Sequence, residues 1–190
     1  MSITITIAEN AQELGKKSAA KIIQLLTEAI AKKGEARIIL STGASQFETM
    51  EALIHSAVDW SKVEMFHLDE YVGLPESHPA SFRKYLKERF VSKVNLKAAH
   101  FVDGEGDVEA NIAKVSAELR KKVVDVGVIG IGENGHIAFN DPPADFETTE
   151  AFKVVVLDDR CKQQQVGEGW FGGISDVPAT AITMTPHQIM

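Results

Sequence analysis

The sequence has few of the features that mark a secreted or membrane-spanning protein. It contains one cysteine, Cys161, so no disulfide can form within the chain. No apolar run approaches the roughly 20 residues that a transmembrane helix requires. The first ten residues, Met1 to Asn10, lack the basic and apolar segments of a secretory signal. These absences predict a soluble, cytoplasmic protein that does not bind membranes.

Basic residues are also fewer than acidic residues. Twenty Lys and Arg residues against 27 Asp and Glu residues give a formal net charge of −7, and the basic residues are scattered along the chain. Nucleic-acid binding requires Lys and Arg gathered on one surface, so we expect no nucleic-acid partner. A phosphate group would have to be held by backbone amides and a few local polar side chains.

The chain is long enough to bury a sizeable core. It has 190 residues, of which 44% are hydrophobic, and shows no internal repeat, low-complexity tract or linker. We therefore predict a single α/β domain that spans residues 1–190.

Strand patterns and helix patterns alternate along the chain. The alternation in Ile3–Ile7 predicts a half-buried first strand, and the capping pair Asn10 and Glu13 predicts the start of a long helix that reaches Lys33. Further strands are predicted at 36–40, 63–68 and 124–131, the last fully buried, and further helices at 46–55, 81–90 and 108–123. This order predicts a doubly wound, mostly parallel, Rossmann-like sheet flanked by helices, with its ligand site at the carboxyl ends of the strands.

Three polar segments directly follow predicted strands, and a parallel sheet would bring them to one crevice. The first is Ser41-Thr42-Gly43-Ala44-Ser45, whose amides and hydroxyls precede a helix and are suited to holding a phosphate. The alternative interpretation is that this turn only caps the helix that follows. The segment lacks the Gly-Lys-Ser/Thr ending of a nucleotide loop and the spaced glycines of a dinucleotide site, which disfavours ATP and NAD.

The second segment contains two adjacent carboxylates, Asp69 and Glu70. Adjacent side chains diverge along an extended chain, so one can enter the crevice while the other makes structural contacts. Asp69 is the candidate base, and Glu70 is a candidate substrate-binding residue. The alternative interpretation is that the pair only caps a loop.

The third segment, Gly130 to Asp141, is the strongest local feature. Its glycines, including Gly135, allow the backbone to approach a ligand closely. His136 is the imidazole there, and histidine both gives and takes a proton near neutrality. Glu133 and Asp141 flank it, and a carboxylate can fix the tautomer of an imidazole and stabilise its cation. A metal site is the rival reading, but no second His or Cys lies at ligand spacing, so we expect no metal.

In order and spacing, these motifs resemble the glucosamine-6-phosphate deaminase (isomerase) family. The matching residues are Leu40–Gly43, then Leu68–Leu74 with His78-Pro79 and Ser81, then Gly135–Asn140 with Asp141-Pro142. The resemblance runs from about residue 8 to the end of the chain. The same superfamily includes 6-phosphogluconolactonases, which share the Gly-His turn and normally lack the Asp-Glu-Tyr-Val-Gly-Leu segment.

The resemblance implies that glucosamine 6-phosphate is converted to fructose 6-phosphate and ammonia without a metal or organic cofactor. It implies that His136 opens the pyranose ring by moving a proton to the ring oxygen. Asp69 would take the proton from C2 and deliver it to C1, and water would hydrolyse the resulting imine. The loop 41–45 would hold the 6-phosphate, and Asp141 would orient His136.

The chain also departs from the family pattern. The family has Asp where this chain has Asn134, and Glu where it has Asp141, so we expect Glu133 or Asp141 to stabilise the imidazolium instead. The phosphate-binding Arg of the family has no counterpart in residues 163–171. Family members continue with further strands and helices beyond residues 183–186. We therefore expect this form to lack those last elements, to expose apolar surface and to turn over poorly.

Other functions are compatible with the same residues. Galactosamine 6-phosphate is an alternative substrate. A lactonase-type hydrolase would use His136 to activate water, and a non-catalytic sugar-phosphate-binding regulator would keep the crevice without the chemistry. In each case the partner is a small sugar phosphate, and the sequence is also compatible with a homo-oligomer.

Overall fold

The computed structural model describes residues 3–190, which form an α/β fold. In this part of the chain the helices are α1 (Ala11–Lys33), α2 (Phe47–Ile54), α3 (Phe82–Arg89), α4 (Val108–Leu119), α5 (Asp159–Gly167) and α6 (Pro186–Ile189). The strands are β1 (Ala36–Leu40), β2 (Val63–His67), β3 (Asp69–Tyr71), β4 (Ala98–His100), β5 (Val126–Val128), β6 (Phe152–Val156) and β7 (Thr180–Met184). A 3-10 turn, Ala44–Gln46, leads into α2.

Four of the strands form the predicted parallel sheet, in the order β4-β2-β1-β5. From β1 the chain proceeds through β2 to β4 on one side and then returns to add β5 on the other side of β1. The strand order therefore reverses between β1 and β5, and in doubly wound sheets ligands bind at the carboxyl ends of the strands beside such a reversal. The fold thus places the expected site next to the loops that follow β1 and β5.

A second sheet, which the sequence patterns did not predict, is antiparallel and has the order β3-β7-β6. Only Leu68 separates β2 from β3, so the chain passes from one sheet directly into the other at that residue. Asp69 is the first residue of β3 and lies opposite Thr183 of β7. This change of sheet places Asp69 at the junction between the two sheets.

The first helix begins and ends as its sequence predicts. The Asn10 side chain accepts a hydrogen bond from the Glu13 amide, and Gly34 ends the helix in the left-handed conformation at φ 81°. Gly15 allows α1 to pack closely on α2, because a Cβ at that position would collide with Glu48. The helix therefore covers one face of the parallel sheet with α2 beside it.

Both faces of the parallel sheet are buried at its central strand β1. Ile38 and Leu40 of β1 pack against α1 and α2, whereas Ile39 faces α4 and the second sheet. This explains why residues 36–40 read as a continuous apolar run and not as an alternating one.

Two predicted strands differ from the structure. Residues Ile3–Ile7 form no strand, and their three isoleucines are exposed, because no strand of residues 3–190 pairs with them. The alternation shows only that the segment could cover a half-buried surface. The predicted strand 124–131 is reduced to β5, which is the edge strand of the sheet, so Gly127 is exposed and the prediction of full burial was wrong.

Within residues 3–190 no helix is long and apolar enough to cross a membrane.

Candidate active site

A cavity of about 490 Å³ lies at the carboxyl ends of the parallel strands and receives all three polar segments predicted from the sequence. Its wall includes the loop 41–45 after β1, Asp69 at the start of β3, and residues 130–133 with His136 after β5. The volume is within the range of small-molecule sites. The expected convergence of the three segments on one crevice is therefore present in the fold.

The loop 41–45 is tied to its neighbours by three hydrogen bonds, the first of which runs from the Ser41 amide to the Val128 carbonyl of β5 at 3.0 Å. Ser41 Oγ accepts from the Gly130 amide at 3.1 Å, which joins this loop to the segment after β5. The Tyr85 hydroxyl donates to the Gly43 carbonyl at 2.8 Å, and Gly43 has a φ of 113°, which favours glycine. The Gln46 and Phe47 amides already donate to the Gly43 and Ala44 carbonyls, so an anion would be bound by the amides earlier in the loop, at residues 43–45.

Asp69 lies in the cavity wall and is almost fully buried, with 6% of its surface exposed. Burial, reinforced by the charge of Glu70, raises the pKa of Asp69 to about 8. The carboxyl is therefore mostly protonated at pH 7 and becomes a comparatively strong base when it ionises. Such a group can both accept and return a proton near neutral pH.

Glu70 lies outside the cavity, although the sequence made it a candidate substrate-binding residue. It is fully buried, and both carboxylate oxygens accept hydrogen bonds from the start of α3. The donors are Tyr71 N, Phe82 N, Ser81 Oγ, Arg83 N and Arg83 Nε, at 2.9–3.3 Å. Burial raises the pKa of Glu70, and the backbone donors oppose that effect. Glu70 therefore holds α3 and Arg83 in place beneath the site.

We predict that Glu70→Ala destabilises the protein by about 3 kcal/mol or more, because removing one partner of a buried pair leaves charges and donors unpaired. The loss would be measured by urea denaturation followed by circular dichroism. Glu105→Ala is the matched control, because Glu105 also pairs with Arg83, at 2.8 Å, but is exposed to solvent. An equal loss in both variants would contradict the structural role of Glu70.

His136 forms a polar cluster with Asn134 and Asp141. Asn134 Oδ1 contacts His136 Nδ1, and Asp141 Oδ1 lies 3.2 Å from the same nitrogen. Asn134 Nδ2 donates to Asp141 Oδ1 at 3.0 Å, which fixes the orientation of the amide. Since both neighbours of Nδ1 are acceptors, Nδ1 carries the hydrogen, and Nε2 of the neutral ring is left as a proton acceptor.

The His136 ring lies directly against the backbone of Gly132. A Cβ at Gly132 would collide with the ring, so the close approach requires glycine there. Gly135, at φ 82°, closes the turn by donating its amide to the Gly132 carbonyl at 3.0 Å. Gly135 shapes the loop and does not line the cavity.

The segment that carries His136 is anchored to the second sheet. Asn140 Nδ2 donates to Thr183 Oγ1 at 3.1 Å and to the Met184 carbonyl at 2.8 Å, and both acceptors belong to β7. The Phe139 amide also donates to Thr183 Oγ1. Because β3 pairs with the same strand, β7 connects the loop of His136 with Asp69.

The structure divides the predicted site residues into three groups. Residues 41–45, Asp69, Glu133 and His136 line the cavity, and Glu133 does so as an exposed residue at its mouth. Asn134 and Asp141 lie behind His136 and contact its ring. Glu70 and Gly135 support the surrounding backbone.

Sequence reasoning did not assign one wall of the cavity. This wall comes from α5 and the residues after it, and it includes Gln164, Gln165, Glu168 and Trp170. Asp158, which caps α5 by accepting from the Cys161 amide at 2.7 Å, was the available signal for a helix. The α5 sequence has little apolar periodicity, so the pattern of hydrophobic residues could not reveal it.

Among residues 3–190 there is no group of three or more His, Cys, Asp or Glu side chains arranged to hold a metal ion.

Comparison with known proteins gives consistent matches. A family model described as glucosamine-6-phosphate isomerases/6-phosphogluconolactonase matches residues 9–166. A glucosamine-6-phosphate deaminase of Lactobacillus delbrueckii subsp. bulgaricus is 32% identical over 187 residues, which are 98% of this chain and 76% of that protein. The glucosamine-6-phosphate deaminase 2 of Bacillus subtilis is 37% identical over 196 residues, covering 98% of this chain and 75% of that protein.

Solved structures agree with these matches. A monomeric glucosamine-6-phosphate deaminase superposes with a TM-score of 0.87 at 26% identity and covers 98% of this chain and 78% of that one. A 6-phosphogluconolactonase of Shewanella baltica superposes at 0.74 with 20% identity, over 96% of this chain and 74% of that one, which shows the shared fold. The chain thus spans about three quarters of the length of these proteins.

Proposed function

Because the chain belongs to the family of glucosamine-6-phosphate isomerases and 6-phosphogluconolactonases, we propose that it converts glucosamine 6-phosphate to fructose 6-phosphate and ammonia. One observation carries the proposal: a buried carboxyl, Asp69, and an oriented imidazole, His136, line the same cavity. The names of the similar deaminases support the choice of substrate. We place the reaction in the cytosol, where the free thiol of Cys161 would stay reduced.

Substrate binding would begin at the loop 41–45. The 6-phosphate would accept hydrogen bonds from the hydroxyls of Ser41, Thr42 and Ser45 and from the backbone amides of residues 43–45. No Lys or Arg side chain of residues 3–190 lines the cavity, so neutral donors would carry this contact. The exposed carboxylates of Glu133 and Glu168 in the cavity wall suit a substrate that also bears an ammonium group.

Ring opening would use His136. Its free Nε2 takes the proton from the hydroxyl on C1, the bond between C1 and the ring oxygen breaks, and the ring oxygen receives the proton. This leaves an aldehyde at C1 and a hydroxyl at C5. Asp141, 3.2 Å from Nδ1, stabilises the imidazolium that forms between the two transfers. Asn134 keeps the ring in this orientation.

Isomerisation would use Asp69. Its ionised carboxylate removes the proton from C2 while the ammonium group of the substrate gives a proton to the C1 oxygen, which yields a neutral enolamine. The carboxyl group of Asp69 then returns its proton to C1. The product carries an imine at C2, which water hydrolyses to a ketone and ammonia. The raised pKa of Asp69 suits both halves of this transfer, because the group gains and loses a proton at similar cost.

The experiment that tests the function measures ammonia release and fructose 6-phosphate formation from glucosamine 6-phosphate. Hydrolysis of 6-phosphogluconolactone and thermal stabilisation by each compound would be measured in parallel. Equal amounts of ammonia and fructose 6-phosphate support the proposal. Lactone hydrolysis without ammonia would identify a lactonase, and stabilisation without either product would identify a binding protein, since a ligand at 100 times its Kd stabilises by about 2.7 kcal/mol.

A further inference from the structure

We propose that Gln165 is a substrate-binding residue that holds an oxygen atom of the bound sugar phosphate through the side-chain N–H groups that Tyr71 leaves free. This inference deepens the proposed function and rests on it. It adds a polar contact from a part of the chain outside the three predicted segments, because Gln165 belongs to α5.

The orientation of the Gln165 amide is fixed by one strong contact. The Tyr71 hydroxyl donates to Gln165 Oε1 at 2.7 Å. Tyr71 is fully buried, and its ring packs against those of Phe82, Phe139 and Phe171 with centroids 5.1–5.5 Å apart. Burial raises the pKa of Tyr71, so the phenol stays protonated and continues to donate. Gln165 Oε1 is therefore occupied, and Nε2 points away from Tyr71 with both hydrogens available.

The free end of this amide lies in the cavity. Gln165 is 8% exposed and lines the cavity wall, and no residue of 3–190 accepts a hydrogen bond from Nε2. An amide donor that faces the cavity without a protein partner favours a ligand that brings an acceptor, and a site built in this way discriminates against ligands that lack it. Sugar hydroxyls and phosphate oxygens are such acceptors. Since the cavity wall has no Lys or Arg in this part of the chain, a neutral donor matters more there.

The two neighbouring glutamines do not share this role. Gln164 Nε2 donates to Glu168 Oε1 at 2.8 Å, so its amide is already occupied. Gln163 is exposed and does not line the cavity. Of the three consecutive glutamines on α5, Gln165 is therefore the proposed substrate-binding residue and Gln163 is the matched control.

The test compares Gln165→Glu with Gln163→Glu, which places the same new charge two residues away on the surface. The carboxylate in Gln165→Glu still accepts from Tyr71 but presents an acceptor where the ligand needs a donor. The probe is glucosamine 6-phosphate reduced at C1, which is an open-chain compound that cannot isomerise, and its Kd is measured by calorimetry. We expect Gln165→Glu to weaken binding about tenfold or more and Gln163→Glu to stay within about twofold of wild type.

Inorganic phosphate is the second probe, because it separates the two kinds of oxygen. If Gln165→Glu weakens phosphate binding as well, the contact is with the phosphate group, and if only the reduced sugar phosphate is affected, the contact is with the sugar. Both results support the inference. Unchanged binding of the reduced sugar phosphate to folded Gln165→Glu would overturn it.

Further measurements keep the inference testable if that variant fails to fold. Gln165→Met removes the donors without adding charge and should give the same loss. In wild type, the Gln165 side-chain amide resonances, identified by their proximity to the Tyr71 ring, should shift when the reduced sugar phosphate binds, and unshifted resonances would overturn the inference. Tyr71→Phe, which frees the amide to rotate, should raise KM more than it lowers kcat.

The outcome for Gln165 is separable from that for the proposed reaction. If wild type binds the reduced sugar phosphate but releases no ammonia from glucosamine 6-phosphate, the reaction is wrong and the contact stands. If wild type releases ammonia and Gln165→Glu binds as wild type does, the contact is wrong and the reaction stands.

Discussion

Replacing Asp69 with asparagine should lower the rate of ammonia release about 1000-fold, because the amide cannot accept the proton from C2. The carboxyl is buried in the cavity wall, whereas Glu133 and Glu168, the other acids of that wall, are exposed to solvent. Exchange of the C2 hydrogen with deuterium from solvent should stop as well. Ammonia release by Asp69→Asn at a rate close to that of wild type would show that another group removes this proton.

A control variant and a second activity assay show whether the loss in Asp69→Asn is specific to proton removal from C2. Asp59→Asn is the matched control, because Asp59 precedes β2 at the opposite end of the strand and its side chain is 49% exposed. A lactonase that uses His136 to activate water would lose little activity in Asp69→Asn. The variant therefore separates the two enzymatic functions as well as testing the base.

The pH dependence should report the same carboxyl. Because the pKa of Asp69 is raised to about 8, the ionised base increases as the pH rises from 6 to 8, and kcat/KM of wild type should rise with it. Stability should change in the opposite direction. The folded state holds this proton more tightly than the unfolded chain, so wild type loses stability as the pH rises towards 8. Asp69→Asn removes that loss and should be the more stable form at pH 8, as measured by urea denaturation.

Much of the site could be predicted because parallel sheets obey a simple rule. Polar segments that follow buried strands meet at the carboxyl edge of the sheet, and this rule was sufficient to bring residues 41–45, Asp69 and His136 to one cavity. The rule by itself does not choose between two adjacent carboxylates, of which we predicted Asp69 as the base and Glu70 as a substrate-binding residue. The structure decides that through the donors at the start of α3, which engage Glu70 and leave Asp69 to the cavity.

The features that escaped prediction depend on contacts between distant parts of the chain. The antiparallel sheet joins β3 to β7, more than 100 residues later in sequence, and β3 has only three residues, which is too few for a periodic pattern. The role of Gln165 depends on Tyr71, 94 positions away. Conversely, Ile3–Ile7 has a clear strand pattern but no partner strand within residues 3–190. Periodicity reports what a segment can bury and not what lies beside it.

Replacing His136 with glutamine should lower kcat/KM for glucosamine 6-phosphate by about 100-fold or more, because the cyclic substrate would then open without a proton carrier. Glutamine retains a polar side chain of similar reach but cannot take up a proton at the position of Nε2. His55→Gln is the matched control, since His55 lies at the end of α2 with 70% of its side chain exposed. Asp141→Asn should cause a smaller loss, because Asn134 still orients the ring while the imidazolium loses the anion that lies 3.2 Å from its Nδ1.

An isotope effect distinguishes this loss from general damage to the site. Slow ring opening would precede and mask removal of the C2 proton, so substrate deuterated at C2 should react with His136→Gln almost as fast as unlabelled substrate. A large deuterium effect on kcat/KM in this variant would show that ring opening is still fast. In that case His136 would act after ring opening or not at all, and another group would open the ring.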